Sequence, residues 1–184
     1  MKALVFGRGR GVWDEMAAAQ KLAVFDCIIG VGSAAVDYSG PLDHWVSFHH
    51  SVFPEWAAAR SRKGLPPARV YWSSVYRGSQ SVRLGAAYPV RFVRQEGGSS
   101  GLIAVMVAFE LGAHRVVLAG VPMDGDYGQY DTKLPWKEAL IHREIWRRDL
   151  HKLLGRVRSM SGWTQEQLGT PTTEWLLEND GTAI

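Results

Sequence analysis

The chain of 184 residues is long enough to bury a full hydrophobic core, and we expect a single domain over residues 1–184. Its content of 46% hydrophobic and 21% charged residues excludes an intrinsically disordered protein. The net charge of +3, from 21 basic and 18 acidic residues, is too small an excess to indicate nucleic-acid binding by itself, and it suits a small anionic ligand.

Short apolar segments alternate with helical patterns along the chain, which is typical of a mostly parallel sheet with helices on both faces. The predicted strands are 3–6, 26–31, 44–49, 69–73, 90–94, 115–119 and 157–160. The predicted helices are 13–22, 55–62, 102–111 and 136–154, followed by a helical region over 164–177 that is broken near Pro171. Segments 74–88 and 120–134 have no clear periodicity and are expected to be loops. The sequence therefore predicts an α/β protein with a Rossmann-like three-layer domain.

A glycine-rich turn, Gly7-Arg8-Gly9-Arg10-Gly11, follows the first predicted strand. Its glycines permit a tight turn, and the helix that follows presents unpaired amides and a positive dipole end, which favour phosphate. We therefore expect Gly7, Arg8, Gly9 and Arg10 to bind an anionic group, with a plain tight turn as the alternative. The spacing is not the dinucleotide fingerprint, and no acidic residue follows the second strand at the expected distance, which disfavours hydride transfer.

A second run of small residues, 97–101, precedes the predicted helix 102–111. Ser99 or Ser100 suits the N-cap position of that helix. A cap needs one serine, so the other small residues favour a ligand lying against Ser99, Ser100 and Gly101. A cap joined to a flexible hinge is the alternative.

Acidic and tyrosine side chains follow strand 115–119, at the edge where open α/β sheets bind ligands. Asp124, Asp126, Tyr127 and Tyr130 have the chemistry to hold a sugar, a ribose or a divalent metal, and a solvated acidic loop is the alternative. No spacing in the chain matches a zinc site, and we expect no resident metal.

Two histidines are candidate general bases, because histidine titrates near neutrality. His49 ends the third predicted strand, and His142 lies in helix 136–154. A structural role is the alternative for both. Apolar residues occur around much of that helix, which predicts burial on more than one side, through a homodimer interface or the C-terminal region.

The cysteine, the tryptophans and the apolar stretches of the sequence predict core residues and the cellular location. Cys27 lies in an apolar run and is expected to be a small buried side chain, and most of the eight tryptophans are expected in the core. The chain enters a strand directly, and its longest apolar stretch, 102–111, is half a membrane span. We therefore expect a cytoplasmic protein with no membrane contact.

The succession of motifs over about residues 1–150 resembles the bacterial lipooligosaccharide sialyltransferases and the related hydroxymethylpterin-diphosphokinase-like domain. The shared features are the glycine turn after the first strand, the strands 26–33 and 44–50, the Ser99-Ser100-Gly101 step before an alanine-rich helix, and the 112–120 block. The chain departs from these families at three places. Gly32 and Ser33 stand where the families have an asparagine, and a histidine stands where they have a second asparagine near the third strand. The aspartate that they have soon after the position of residue 120 occurs later in this chain, as Asp124.

The resemblance implies a nucleotide ligand. It places Gly7, Gly9, Ser100 and Gly101 on the phosphate and ribose, with His49 as a further polar contact. It also implies that Tyr127 and Tyr130 hold the departing phosphate and that His142 lies near the catalytic base. Gly32 and Ser33 complete the expected ligand contacts.

We therefore expect a domain that binds a nucleotide or nucleotide-sugar and acts as a glycosyltransferase-like transferase, with no other cofactor. The alternative is a non-catalytic Rossmann-like protein that binds a small ligand or belongs to an assembly, of the compact kind that phages encode. A third option is a nucleic-acid binder that uses Arg60, Arg62, Lys63 and Arg69.

Overall fold

A seven-stranded parallel sheet organises the chain. The computed structural model describes residues 1–75, 90–95, 97–125, 128–131 and 135–178. Within these residues the strands are β1 Lys2–Phe6, β2 Cys27–Val31, β3 His44–Val46, β4 Val70–Ser74, β5 Val90–Val93, β6 Arg115–Ala119 and β7 Val157–Ser159. They lie in the order β5-β4-β3-β2-β1-β6-β7, and every neighbouring pair is parallel.

Helices connect the strands and cover both faces of the sheet. They are α1 Val12–Leu22, α2 Ala34–Asp37, α3 Phe53–Arg62, α4 Ser100–Glu110, α5 Ala139–Leu153, α6 Gly162–Leu168 and α7 Thr173–Leu177, with a 3-10 turn at His50–Val52. Buried side chains of α4, α5 and α6 form one core, and those of α1, α2, α3 and α7 form the other. The predicted α/β class and Rossmann-like three-layer arrangement are confirmed.

The connectivity reverses between β1 and β6. From β1 the strands are added outward to β5, after which the chain returns through α4 to place β6 on the other side of β1. Such a switch point leaves a crevice beyond the carboxyl ends of the central strands, because the connections on either side of it lead away to opposite faces. The glycine turn after β1 and the loop after β6 meet there.

Helix α4 is the most buried helix, and its sequence explains both its depth and its end. Nearly all its side chains from Leu102 to Ala108 are buried between the sheet and α5. At its C-terminus the amides of Gly112 and Ala113 donate to the carbonyls of Phe109 and Ala108, at 3.0 and 2.9 Å. Gly112 has φ of 89°, so α4 ends in a Schellman motif.

Most predicted elements agree with the structure to within three residues at each end, and α2 was not predicted. Strand β3 ends at Val46 rather than at residue 49, because the Ser47 hydroxyl accepts the His49 amide hydrogen at 3.0 Å and turns the chain out of the ladder. The helical region predicted over 164–177 with a break near Pro171 is confirmed as two helices, and Gly169, with φ of 86°, ends the first of them, α6. Residues 76–88 of the predicted 74–88 loop lie outside the described residues, and Ser74 belongs to β4.

Helix α5 buries one face within the chain. Ala139, Trp146 and Leu153 are buried, whereas Leu140 and Ile141 are 55% and 70% exposed. The second covered side that the sequence predicted is therefore not provided by the described part of this chain, and a homodimer through α5 stays a prediction.

The predicted core roles of cysteine and tryptophan are confirmed for the residues that the structure buries. Cys27 is 4% exposed, and burial raises the pKa of its thiol to about 12. The buried tryptophans are Trp45, Trp72, Trp146, Trp163 and Trp175. None of the described helices is long and apolar enough to cross a lipid bilayer.

Candidate functional site

A cleft of about 720 Å³ opens at the carboxyl edge of the sheet, beside the switch point. Its walls are the turns that follow β1, β2, β3 and β6, the first turn of α4 and the start of α5. Most of the predicted site residues line it: Gly7, Arg8, Gly9, Gly32, Ser33, His49, Ser99, Ser100, Gly101, Asp124 and His142. Side chains far apart in sequence thus meet because the parallel strands end at one edge.

Two predicted site residues, Arg10 and Tyr130, do not line the cleft, and two others, Asp126 and Tyr127, lie outside the described residues. Arg10 is exposed outside the cleft walls. Tyr130 packs its ring against Trp13 at 5.4 Å, and its hydroxyl donates to the Asp37 carboxylate. Burial and that hydrogen bond raise the pKa of Tyr130, so its hydroxyl is committed to Asp37 rather than to a ligand in the cleft.

The amides of the first glycine turn are bonded to the protein itself. Those of Gly7, Gly9 and Arg10 donate to the carbonyls of Ala119, Gly120 and Gly128 at 2.8, 2.8 and 3.0 Å. These three amide hydrogens are therefore not free to bind a phosphate, and an anion contact elsewhere on the turn stays a prediction.

The glycines of this turn permit two protein loops to approach each other. A Cβ atom on Gly7 would lie 2.6 Å from the Gly120 carbonyl oxygen, and one on Gly9 would lie 2.9 Å from Pro122 Cδ. The close approach that the sequence assigned to a ligand is thus made by the loop after β6. Gly7 and Gly9 still line the cleft through their backbone.

Arg8 is the cationic residue of this turn in the cleft wall, and it is ion-paired. Its Nε and one terminal nitrogen donate to the same oxygen of Asp131, at 3.2 and 2.6 Å. The segment 128–131 lies antiparallel to the turn, with a bridge between Gly9 and Gln129. The charge predicted to attract an anion is therefore balanced by a carboxylate of the chain.

The second small-residue run places a helix N-terminus at the cleft. Ser99 is the N-cap, because its hydroxyl accepts hydrogen bonds from the Leu102 amide at 3.4 Å and from Trp146 Nε1 at 3.1 Å. The amides of Ser100 and Gly101, at the first two helical positions, have no acceptor among the described residues. The predicted N-cap is confirmed at Ser99, and the open amides belong to the next two residues.

Helix α5 holds this second run in place. Ile145 would touch a Cβ added to Gly97, at 3.0 Å, and Trp146 holds Ser99 as described. Gln95 donates to the buried carboxylate of Asp149 at 2.9 Å, which ties the chain before the run to the same helix. The α4 wall of the cleft is thus fixed by three contacts with α5.

Asp124 is engaged in packing α6. One of its oxygens accepts the Trp163 amide hydrogen at 3.1 Å, and the other accepts from the Arg143 guanidinium at 2.5 Å. Arg143 also stacks over the Trp163 ring, 5.4 Å from its centroid. Asp124 therefore lines the cleft while it caps a helix. No group of three candidate metal ligands occurs among the described residues.

His142 is a titratable side chain of the cleft with a buried, unpartnered nitrogen. Its Nδ1 is buried and has no hydrogen-bond partner among the described residues, and its ring lies 5.6 Å from that of Trp136. Burial lowers the pKa of His142, against a smaller opposing effect of Glu138, so the imidazole is neutral at neutral pH. A neutral ring with an unpartnered nitrogen is compatible with a general base.

His49 and Ser33 line the opposite part of the cleft wall. The His49 ring packs edge-on against Phe48 at 5.3 Å, and its backbone is held by Ser47. The Ser33 hydroxyl has no hydrogen-bond partner among the described residues. Both residues line the cleft, and their contact with a ligand stays a prediction.

Two tryptophans of the cleft were not found from the sequence. Trp56 of α3 lines it while its ring stacks on Trp45, with 6.2 Å between centroids and an interplanar angle of 8°. Trp136 lines it beside His142. Helical position alone could not have separated these two rings from the buried tryptophans, because both occur in ordinary amphipathic stretches.

The basic cluster proposed for nucleic acid is largely used within the fold. Arg60 is 1% exposed and donates to the carbonyls of Ala35 and Pro66, each at 2.6 Å. Lys63 pairs with Asp37, and Arg69 pairs with Asp43. These contacts remove most of the free charge that backbone phosphates would need.

Comparison of the chain with protein-family models, with curated proteins and with solved structures gave no match.

Proposed function

We propose that the cleft binds a nucleotide or nucleotide-sugar and that the protein transfers a group from it to an acceptor, with His142 as the base. The observation that carries this proposal is the buried, unpartnered Nδ1 of His142 in a cleft at the switch point of a parallel sheet. A buried polar atom without a partner costs free energy, so its retention in a cleft suggests that a ligand supplies the partner.

The dimensions and position of the cleft suit such a ligand. Small-molecule sites have volumes of roughly 300–1,000 Å³, and the cleft measures about 720 Å³. The ring of Trp56 offers a flat surface for a base, held against rotation by its stack on Trp45.

The amides of Ser100 and Gly101 would hold the phosphate. They lie at the positive end of the α4 dipole and have no acceptor among the described residues. His49 and Ser33 would contact the ribose or the base from the other side.

The proposed step is an in-line displacement. The acceptor hydroxyl gives its proton to His142, and its oxygen forms a bond to the sugar carbon. The bond from that carbon to the phosphate oxygen breaks, and the nucleotide leaves with the electron pair towards the α4 amides, which stabilise its charge. A lowered histidine pKa favours this role, because the ring is deprotonated before the reaction begins.

Calorimetric titration with CMP, UDP and GDP and their sugar conjugates tests the binding. Release of free nucleotide from the conjugates, measured by chromatography, tests the transfer, with water as the acceptor. His142→Gln should retain nucleotide binding and lose about 10²–10⁴-fold in rate. His151→Gln is the matched control, since His151 is an exposed histidine of the same helix outside the cleft. Flat titrations with every compound would refute the proposal.

A non-catalytic ligand-binding or assembly protein is the second candidate. It is favoured by the first glycine turn, whose amides and Arg8 side chain are satisfied by the chain itself. This candidate predicts nucleotide or other small-ligand binding without turnover, and equal behaviour of the wild type and His142→Gln in the release assay.

A further inference from the structure

We infer that the Asp131 carboxylate occupies the position on Arg8 where an anionic group of the ligand would bind. The carboxylate then competes with the ligand for Arg8 and thereby sets the affinity of the cleft for anions. This inference rests on the proposed function only in requiring that the ligand be anionic. It assigns a role to a residue that the nucleotide proposal leaves unused.

The geometry of the pair is that of an anion on an arginine. Arg8 lines the cleft, and two of its nitrogens converge on a single Asp131 oxygen at 3.2 and 2.6 Å. A phosphate oxygen binds the same edge of a guanidinium in the same way. The carboxylate therefore satisfies the contact that a phosphate at the cleft mouth would make.

Asp131 can leave Arg8 without releasing the segment to which it belongs. Within the described residues, backbone hydrogen bonds from Arg10 to Gly128 and from Tyr130 to Arg8, both at 3.0 Å, help to hold the segment 128–131. The Tyr130 side chain adds an anchor on Asp37 and Trp13. None of these contacts involves the Asp131 side chain, so they can persist when its carboxylate moves away from Arg8.

The strength of the pair is in the range that a ligand can overcome. The side chains of Arg8 and Asp131 are 36% and 32% exposed, and half-exposed ion pairs contribute little because water screens them. A phosphate carries more charge than a carboxylate and therefore binds the Arg8 guanidinium more strongly. Removing the carboxylate should therefore tighten anion binding by about two- to fivefold.

The test is a titration of the full chain with inorganic pyrophosphate, followed by the Arg8 Nε–H signal in nitrogen-15 NMR spectra. Asp131→Asn should bind about two- to fivefold more tightly than the wild type. Asp14→Asn is the matched control, because it removes the same charge from the exposed first turn of α1 without touching Arg8. Arg8→Gln should abolish the gain caused by Asp131→Asn in a double variant, as measured by calorimetry.

Two results would overturn the inference. One is an equal affinity of Asp131→Asn and Asp14→Asn for pyrophosphate, which would show that the gain comes from the change in net charge and not from Arg8. The other is an Arg8 signal that pyrophosphate does not shift in any variant. Failure of every nucleotide to bind, with pyrophosphate still responding to Asp131→Asn, would instead refute the proposed function and leave this inference standing.

Discussion

Gly101→Ala is expected to destabilise the protein although alanine is the better helix former. Gly101 lies in the first turn of α4, at the cleft wall. A Cβ atom there would be 2.8 Å from Val121 Cγ1 and 3.4 Å from Ser99 Oγ. The first distance is shorter than any ordinary contact between carbon atoms, so Val121 or the helix must shift.

Two opposing effects set the size of the loss. Alanine in place of glycine favours a helix by up to about 1 kcal/mol, whereas overpacking a core costs about 1–3 kcal/mol. Val121 is 6% exposed and β-branched, so its methyl group cannot swing aside freely. The net expectation is a loss of about 1–2 kcal/mol, which corresponds to a fall in Tm of about 2–8 °C for a chain of this size.

Urea unfolding followed by tryptophan fluorescence, together with calorimetric Tm values, measures this loss. Gly125→Ala is the matched control, because its new Cβ would lie 3.7 Å from Leu140 Cγ, an ordinary contact. In the double variant Gly101→Ala, Val121→Ala the two losses should be less than additive by about 1–2 kcal/mol. If Gly101→Ala is as stable as Gly125→Ala, the close approach of α4 to Val121 does not limit stability and the reasoning is wrong.

Three further perturbations follow from buried charges. Arg60→Met should lower the unfolding free energy measured in urea by about 2–4 kcal/mol, because it leaves several buried carbonyls without donors. The control is Arg62→Met, which changes an exposed arginine, and equal losses in the two variants would contradict this expectation. Burial alone would raise the pKa of Asp149, but hydrogen bonds from Arg148, Lys152 and Gln95 lower it to about 2. The unfolding free energy should therefore fall as the pH drops below 3.8, and Asp149→Asn should make that fall smaller. Burial lowers the pKa of His142 from 6.5, so its contribution to stability is full above pH 6.5 and is lost as the pH falls through the pKa of the folded state. His142→Gln should therefore reduce the dependence of the unfolding free energy on pH below pH 6.5. An unchanged dependence would contradict the assignment.

The order and type of most secondary-structure elements could be predicted from the sequence. Runs such as 115–119 are apolar and β-branched because both faces of a central parallel strand are buried. The end of α4 was also predictable, since Gly112 carries the positive φ that a Schellman motif requires. The point where β3 ends was not, because it depends on which amide the Ser47 hydroxyl accepts.

The sequence by itself determined that this protein is α/β, and it brought most of the candidate site to one edge, because parallel strands end together. Only the tertiary structure decided what those residues do. It bonded the amides of Gly7, Gly9 and Arg10 to the strand and loop at the end of β6, committed Tyr130 to Asp37, used Asp124 to cap α6 and left the buried Nδ1 of His142 without a partner among the described residues. The physical reason is the sequence separation of the interacting residues. Periodicity and turn geometry depend on neighbouring residues, whereas a hydrogen bond between residues dozens of positions apart forms only when the elements pack together.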